Sequence, residues 1–286
     1  MSPPELARPD SVEEACRLLS ESEGEAKLIA GGTAVVLMMR QGLIFPTLLV
    51  SLQRVEGLSS IEVADGHIVI GGNATLREIA ASGLVRRHAR SLARACELVG
   101  NVRVRNAATL AGNLAEADYA SDPPSVLACH RATCTAQGLD GTRSIPVTDL
   151  VTGFYSTALS PTEVITEVHV PVAEPDELTA YLKYVSRSSE DRPCVGVAAR
   201  AVIRDGTVED LDVVVGAVGP APASRPDVCS AALGRGLDDA TIRTVADGYA
   251  DSIDPMEDAR GSSWYRREMI HVFVTRALDE LNSTDG

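Results

Sequence analysis

Three of the five Asp-Gly pairs in this chain restrict its fold more than any other feature of its sequence. They are Asp65-Gly66, Asp140-Gly141 and Asp205-Gly206. Asp-Gly suits the two central positions of a type I′ turn, whose twist matches that of paired antiparallel strands. The first and last pairs therefore predict hairpins between the strand-like segments that flank them. The second pair predicts a turn after a strand over 132–137.

The N-terminal segment alternates helix signals with strand signals. Ser11–Glu14 is a capping box ahead of an apolar helix, and 26–30 predicts a short buried strand. Gly31-Gly32 ends this strand, and Thr33 is placed to cap a second helix. Another strand is predicted over 47–52. The segment is thus expected to mix α and β structure.

Small residues dominate the segment 103–122, which shows no sustained hydrophobic period. It follows a second capping box at Thr75–Glu78 and a helix predicted over 85–99. Because it is long for a plain connection, its length and composition favour a binding role. An alternating strand over 163–170 comes after it.

A polar stretch with two prolines, 171–177, is the best candidate for a domain boundary. Beyond it, strands come first and helices follow, without alternation: 180–186, 195–203, 209–218, 238–250 and 262–281. This order predicts an α+β layer in which an antiparallel sheet lies under two helices.

The net charge of the 286 residues is −14, from 26 Lys+Arg and 40 Asp+Glu. A chain this acidic is a poor ligand for nucleic acid, whose binding depends on neutralising phosphates. No uninterrupted apolar run approaches the roughly 20 residues that span a bilayer, and the N-terminus lacks a signal-peptide pattern. We therefore expect a soluble, cytoplasmic protein without a membrane span.

Six cysteines are scattered along the chain, without Cys-x-x-Cys and without a metal-type Cys/His spacing. We expect core thiols, no iron–sulfur cluster and no metal site.

Two glycine turns are candidate phosphate sites. Gly31-Gly32 lets backbone N–H groups approach an anion beside a helix start, and Thr109–Asn113 is a similar small-residue turn. The first lacks the third glycine of a dinucleotide fingerprint and the ending of a P-loop, so a purely structural turn is the alternative. Asp122 is placed either to accept bonds from ribose or ribityl hydroxyls or to cap the helix that follows it.

Several ordered motifs resemble the FAD-binding medium subunits of molybdenum hydroxylases, the xanthine dehydrogenase and aerobic carbon monoxide dehydrogenase enzymes. The resemblance covers essentially the whole chain, and its motifs lie at 27–33, 70–75, 104–113, 120–122, 164–171, 181–183 and 263–267.

The resemblance implies an α+β fold with two domains. The first, 1–173, is a vanillyl-alcohol-oxidase-type FAD-binding domain of two α/β subdomains (1–56 and 57–173). The second, 178–286, is a small C-terminal domain with a three-stranded antiparallel sheet and helices.

By the same resemblance, two turns hold the FAD diphosphate and neighbouring groups, Asp122 binds cofactor hydroxyls, Ile165 lies near the flavin ring and Lys183 closes the site. Lys27 either supports the phosphates or is a solvated lysine. The turn residues are Leu28, Ile29, Ala30, Gly31, Gly32, Thr33, Ala34 and Val35 in the first, and Thr109, Leu110, Ala111, Gly112 and Asn113 in the second. Ala111 stands where a glycine is usual and adds a methyl group where backbone and diphosphate approach, and Glu116 puts an acid near the anionic cofactor.

The implied function is that of an FAD-carrying oxidoreductase subunit. Substrate is oxidised at a molybdopterin centre in a large subunit, and electrons pass through the 2Fe–2S clusters of a small subunit to this chain's FAD and on to an acceptor. No side chain of this chain is expected to be catalytic. Arg103 is a candidate for the rim of a docking surface. The alternatives are a stand-alone flavoenzyme on the same fold and an FAD-free assembly subunit.

Overall fold

The computed structural model of the chain describes residues 3–283. Its first unit consists of β1 (Glu5–Ala7), α1 (Val12–Glu21), β2 (Ala26–Ile29), α2 (Val35–Arg40) and β3 (Leu48–Ser51). The strands form a parallel sheet in the order β1-β3-β2, on which α1 packs its buried Ala15, Cys16 and Leu19. A 3₁₀ turn, Leu52–Arg54, leads out of the sheet.

The two helices of this unit begin differently. Ser11 accepts a hydrogen bond from the backbone N–H of Glu14 (3.1 Å), so the predicted cap of α1 is confirmed. The prediction that Thr33 caps α2 is wrong, because the N-cap residue is Ala34 and no side chain caps this helix. Because the backbone of Gly32 is left-handed (φ +70°), the turn extends past Thr33 and the helix begins at Val35.

The second unit is built on a five-stranded antiparallel sheet in the order β4-β5-β10-β6-β7, with a separate β8-β9 hairpin. Its strands are β4 (Ile61–Ala64), β5 (His67–Gly71), β6 (Thr133–Gly138), β7 (Gly141–Pro146), β8 (Val151–Gly153), β9 (Ser156–Thr157) and β10 (Val164–Pro171).

Short helices cover this sheet: α3 (Leu76–Ala81), α4 (Gly83–His88), α5 (Arg90–Leu98), α6 (Val102–Arg105), α7 (Leu110–Glu116), α8 (Pro123–Cys129) and α9 (Val147–Leu150). The capping box of Thr75 and Glu78 opens α3 as predicted. The single helix expected over 85–99 is broken at Ala89, whose backbone is not helical. The segment 103–122 contains helix α7 and most of α6.

The third unit contains β11 (Glu177–Tyr184), β12 (Val195–Arg204), β13 (Thr207–Gly216), β14 (Ala223–Ser224), α10 (Pro226–Ser230), α11 (Asp239–Ser252) and α12 (Ser263–Ser283). Its antiparallel sheet has the order β11-β12-β13-β14, so a short fourth strand joins the three that were expected.

The predicted hairpins at Asp65-Gly66 and Asp205-Gly206 are confirmed. Both residues of each pair have positive φ, at 49° and 75° in the first and at 50° and 72° in the second. The pairs join β4 to β5 and β12 to β13. The pair Asp140-Gly141 joins β6 to β7.

The sheet of the third unit is covered on both faces. Helices α11 and α12 pack on one face, around residues such as Val197 and Val213. On the other face, α5 and α8 of the second unit pack against it, and Tyr181, Ala198 and Val214 belong to the core of the second unit. This packing brings β11 beside the second unit. Among residues 3–283, no helix has the length and apolar character of a membrane span.

Candidate cofactor site

A cleft of about 960 Å³ lies where the three units meet. Its walls come from both glycine turns, from the start of β10 and from the end of β11 with the loop that follows. The volume is at the upper end of the range of roughly 300–1,000 Å³ for small-molecule sites. The cleft can therefore accommodate a large, extended ligand.

The first turn packs directly on the backbone ahead of the second turn. A Cβ atom on Gly31 would overlap the carbonyl oxygen of Ala107 and lie 2.5 Å from its carbonyl carbon and 3.1 Å from Cα of Ala108. Ala108 also lines the cleft. The absent side chain of Gly31 therefore lets the two turns, which are far apart in sequence, approach each other.

Gly32 has a different role from Gly31. Its φ of +70° is one that side chains rarely adopt, and a Cβ there would lie 3.1 Å from Cδ1 of Ile29 and 3.5 Å from Cγ2 of Val36. That Cβ would meet side chains of the flanking strand and helix. Gly32 is thus required mainly by the shape of the turn.

Thr109 and Asn113 order the second turn. Thr109 caps α7, because its Oγ1 accepts a hydrogen bond from the backbone N–H of Gly112 (3.1 Å). The side-chain oxygen of Asn113 accepts one from the Ser121 hydroxyl (2.8 Å). The methyl group of Ala111 forms part of the cleft wall and lies 3.3 Å from the place of a Cβ on Gly72.

Asp122 occupies the N-cap position of α8 but does not cap it. The next two residues are prolines, so the N–H group at N2 is missing, and the carboxylate makes no hydrogen bond to the start of the helix. Its oxygens accept hydrogen bonds from the Tyr181 hydroxyl (2.7 Å) and from Nζ of Lys183 (3.0 Å). Lys183 also donates to the carbonyl of Leu98 (2.8 Å). The alternative in which Asp122 caps the helix is therefore wrong.

The Asp122 carboxyl is almost completely buried, with 3% of its residue surface exposed. Burial raises its pKa to about 6, and the charge of Lys183 and the hydrogen bonds from Tyr181 and Lys183 oppose the rise. An ion pair between β11 and the start of α8 therefore closes one wall of the cleft.

Charged groups surround another part of the cleft. Burial raises the pKa of the Glu116 carboxyl, and the positive charge of Lys27 opposes this effect. Nε of Arg192 lies 2.7 Å from a carboxylate oxygen of Asp118, which ties the loop after β11 to the segment after α7. All four of these side chains belong to residues that line the cleft.

The structure brings together nearly all the residues predicted for the site. Leu28, Ala30, Thr33, Ala34, Val35 and Ile165 line the cleft with Lys27, Asp122, Lys183 and the turn residues described above. Ile29 and Leu110 do not line it: Leu110 is fully buried in the core of the second unit, and Ile29 lies beneath the turn. Tyr181 was not predicted as a site residue, although it lies two positions before Lys183 and hence on the same face of β11.

The two parts of the chain match two models of protein families. Residues 3–173 match the FAD binding domain in molybdopterin dehydrogenase, and residues 180–281 match the CO dehydrogenase flavoprotein C-terminal domain. The chain belongs to this family. Its cofactor is FAD, and it is the FAD-binding medium chain of a molybdopterin-dependent oxidoreductase.

Similar proteins match this family member over almost the full length of both chains. The glyceraldehyde dehydrogenase medium chain of Sulfolobus acidocaldarius is 29% identical over 98% of this chain and 100% of its own. The carbon monoxide dehydrogenase medium chain of Hydrogenophaga pseudoflava is 30% identical over 98% of each. A solved carbon monoxide dehydrogenase structure from that organism has a TM-score of 0.95, at 29% identity over 99% of each chain. The predicted family and fold are thus confirmed.

The residues present fit FAD. The cleft is large enough, its two turns present backbone beside helix starts, and Lys27, Lys183 and Arg192 bring positive charge to its walls. Within residues 3–283, no group of His, Cys, Asp and Glu side chains is arranged to hold a metal ion. All six cysteines are buried, unpaired thiols.

Proposed function

We propose that this chain is the FAD-carrying electron-transfer subunit of a heteromeric molybdenum hydroxylase. Its partners would be a large molybdopterin subunit and a small 2Fe–2S subunit, with electrons passing from the 2Fe–2S clusters through FAD to an external acceptor. The single observation that carries the proposal is the cleft, in which the two turns, Asp122 and Lys183 converge. Relatives that are named as medium chains or medium subunits support it.

In this proposal, the FAD diphosphate lies against the turns 28–35 and 109–113. Backbone N–H groups of both turns bind the diphosphate. The contact of Gly31 with Ala107 sets the distance between the two turns. Lys27 adds a positive charge and offsets Glu116. The prediction that Lys27 supports the phosphates stays open to test.

Asp122 and Lys183 are proposed to hold the opposite part of the cofactor. Each carboxylate oxygen of Asp122 accepts one hydrogen bond from the protein and retains a lone pair for a cofactor hydroxyl. Ile165 contributes an apolar surface for the flavin ring. Bound FAD supplies the redox chemistry, while the protein binds it, orients it and limits the access of water.

The domain boundaries are also part of the proposal. Residues 1–173 form the FAD-binding domain, with subdomains 1–56 and 57–173, and 178–286 form the C-terminal domain. The sheets of the structure support this division. The three-stranded sheet lies within 1–56, the five-stranded sheet and the β8-β9 hairpin lie within 57–173, and the four-stranded sheet begins at Glu177, next to the proposed boundary. The unpaired thiols support a reducing, cytoplasmic location.

The surface of α6 is proposed as part of the rim that meets the 2Fe–2S subunit. Val102 is exposed and Arg103 lies beside it, while Val99, Gly100 and Val104 line the cleft. A partner bound to α6 would therefore lie next to the cofactor. The guanidinium of the neighbouring Arg105 donates to the carbonyls of residues 99 and 100 and holds this loop in place.

Co-expression with the partner subunits tests the proposal. The complex should contain FAD that is reduced when substrate is added, and Arg103→Glu should weaken assembly at low salt without loss of FAD, because a rim charge acts mainly on encounter. The exposed Arg243 on α11 gives a matched control, Arg243→Glu, which should assemble normally.

Two results would contradict the proposal. Turnover of a small substrate by the isolated chain would favour a stand-alone flavoenzyme. Substrate reduction of the molybdenum centre without reduction of FAD in an intact complex would remove this chain from the electron path.

A further inference from the structure

Helix α8 of the second unit lies along the sheet of the third unit. The ion pair that closes one wall of the cofactor cleft lies at the start of this helix. Further along, Ser125 lies against Gly216 of β13, where a Cβ would be 3.1 Å from Oγ of Ser125. At the end of the helix, Sγ of Cys129 is 3.5 Å from the carbonyl oxygen of Asp212, four residues earlier in β13. The helix therefore runs along β13, away from the cleft.

A second set of ion pairs lies just beyond the end of α8. Nη2 of Arg131 is 2.8 Å from a carboxylate oxygen of Asp210 and 2.8 Å from one of Asp212. The two aspartates are two residues apart on β13, so their side chains lie on the same face of the sheet. Nη1 of Arg200, on β12, donates to the same two carboxylates, at 2.8 Å and 3.1 Å. Charged groups thus tie the second unit to the third at both ends of α8.

The backbone of Arg131 is left-handed, with a φ of +55°. It completes a Schellman motif, in which the N–H groups of Arg131 and Ala132 donate to carbonyls of the last helical turn. The acceptors are Ala128 (3.0 Å) and Leu127 (2.9 Å). Glycine is the usual residue at this position, because a side chain makes the left-handed backbone unfavourable. An arginine here therefore costs stability that a glycine would not.

Stability alone does not explain this arginine. The side chain of Arg131 is 55% exposed, and exposed ion pairs contribute little net stability. The left-handed backbone costs at least as much as such a pair contributes. Asp210 and Asp212 do not need Arg131 as a partner, since Arg200 pairs with both. What Arg131 adds is a directional, charged link between the end of α8 and β13.

We propose that Arg131 is a positioning residue for the cofactor site. Where Ser125 meets Gly216, the helix and the sheet touch through small groups, which oppose sliding less than interlocking large side chains would. By tying the end of α8 to β13, Arg131 fixes the position of the helix along the strand. It thereby sets where Asp122, at the start of the helix, meets Lys183 on β11. The inference rests on the proposed role of these two residues in FAD binding.

Two substitutions at this one position separate positioning from stability. Arg131→Met removes the ion pairs and keeps a side chain on the left-handed backbone, whereas Arg131→Gly removes the ion pairs and relieves the backbone. Urea unfolding should therefore find Arg131→Gly the more stable of the two. Both should nevertheless bind FAD roughly tenfold more weakly than the wild type, because a displaced Asp122 weakens a charge-assisted hydrogen bond to the cofactor. Titration of the FAD-free full chain, followed by flavin fluorescence, measures the affinity.

A conservative variant and two controls accompany these substitutions. Arg131→Lys should restore most of the affinity, because a single nitrogen of Arg131 approaches both aspartates and one ammonium group can take its place. Arg204→Met is the matched loss of ion pairs on the same sheet and should bind FAD like the wild type. The Arg204 side chain is 40% exposed and pairs with carboxylates away from α8, those of Glu174, Asp176 and Glu209. Asp205→Gly relieves a left-handed backbone in the β12-β13 hairpin and should also leave the affinity unchanged.

A double-mutant cycle with Asp122→Asn tests the route of the effect. If Arg131 acts through Asp122, Arg131→Met should lower the FAD affinity no further once Asp122 is replaced. Wild-type affinity in Arg131→Gly would overturn the inference, as would affinities that simply follow stability across the Arg131 variants. Loss of affinity in Asp122→Asn but in neither Arg131 variant would remove the positioning role alone. Normal FAD binding by Asp122→Asn would refute the proposed role of Asp122 and, with it, the route proposed for Arg131.

Discussion

The contact between Gly31 and Ala107 allows a sharp test of how the site is built. In Gly31→Ala, the new Cβ would start 2.5 Å from the carbonyl carbon of Ala107. Carbon atoms in contact prefer about 3.5 Å, and the Cβ would also overlap the Ala107 carbonyl oxygen, so the two turns must separate by at least about 1 Å. The atoms in the way belong to the backbone and cannot turn aside as the end of a side chain can. We expect the free energy of unfolding to fall by about 3 kcal/mol, at the upper end for overpacking.

The separation should also weaken FAD binding. If both turns bind the diphosphate, moving one by about 1 Å removes a charge-assisted hydrogen bond worth about 2 kcal/mol. That loss corresponds to a roughly 30-fold weaker affinity. Titration of the FAD-free protein, followed by quenching of flavin fluorescence, measures it, and urea unfolding measures the stability.

Gly83→Ala is the matched control. Gly83 begins α4, has no positive φ, and a Cβ there would meet no atom within 4 Å. This variant should keep FAD affinity and gain up to about 1 kcal/mol of stability. If Gly31→Ala and Gly83→Ala had equal stability and equal FAD affinity, the turn contact would not shape the site.

Four further outcomes are expected. Heat or acid should release all FAD from the protein, because the six cysteines are buried and none lines the cleft; flavin that remains with the precipitate would contradict this. The pKa of Asp122 is raised from 3.8 to about 6, so folding favours the protonated carboxyl. The resulting stability is complete below pH 4 and is lost as the pH rises through 6. The stability difference between wild type and Asp122→Asn should therefore fall across that range in urea titrations. Burial lowers the pKa of His130 from 6.5 to about 4. The neutral imidazole therefore contributes stability that is present above pH 6.5 and lost as the pH falls through 4. The stability difference between wild type and His130→Gln should shrink on acidification. Ala111→Gly, by removing a methyl group from the cleft wall, should tighten FAD binding in the fluorescence titration and lower stability by about 1 kcal/mol.

Features that depend on neighbours in sequence could be predicted well. The Asp-Gly hairpins and the caps at Ser11 and Thr75 need only local backbone geometry and one side chain. The prediction of a cap at Thr33 was wrong, because the left-handed backbone at Gly32 moves the start of the helix, and the sequence does not show that conformation. The helices within 103–122 were missed because short helices of small residues gain their stability from packing.

Most residues of the cofactor site were identified through resemblance to a family, since spacing alone left both glycine turns ambiguous. Spacing could not show that Asp122 would pair with Tyr181 and Lys183, which lie 59 and 61 residues away. Residue type even favoured a helix cap at this position, but Pro124 removes the N–H group at N2, and the carboxylate pairs with Tyr181 and Lys183 instead.

The sequence by itself determined the Asp-Gly turns, the starts of α1 and α3, the order of strands and helices in the last third, and the family. The tertiary structure alone decided which surfaces meet. Strand β12 reads as an apolar run, but only the packing of α8 on one face and of α12 on the other shows that both faces are buried. The same packing places Gly31 against Ala107, Lys183 against Asp122 and Arg131 against β13. Such contacts join distant parts of the chain, and their formation depends on how whole layers fit together, which local composition does not record.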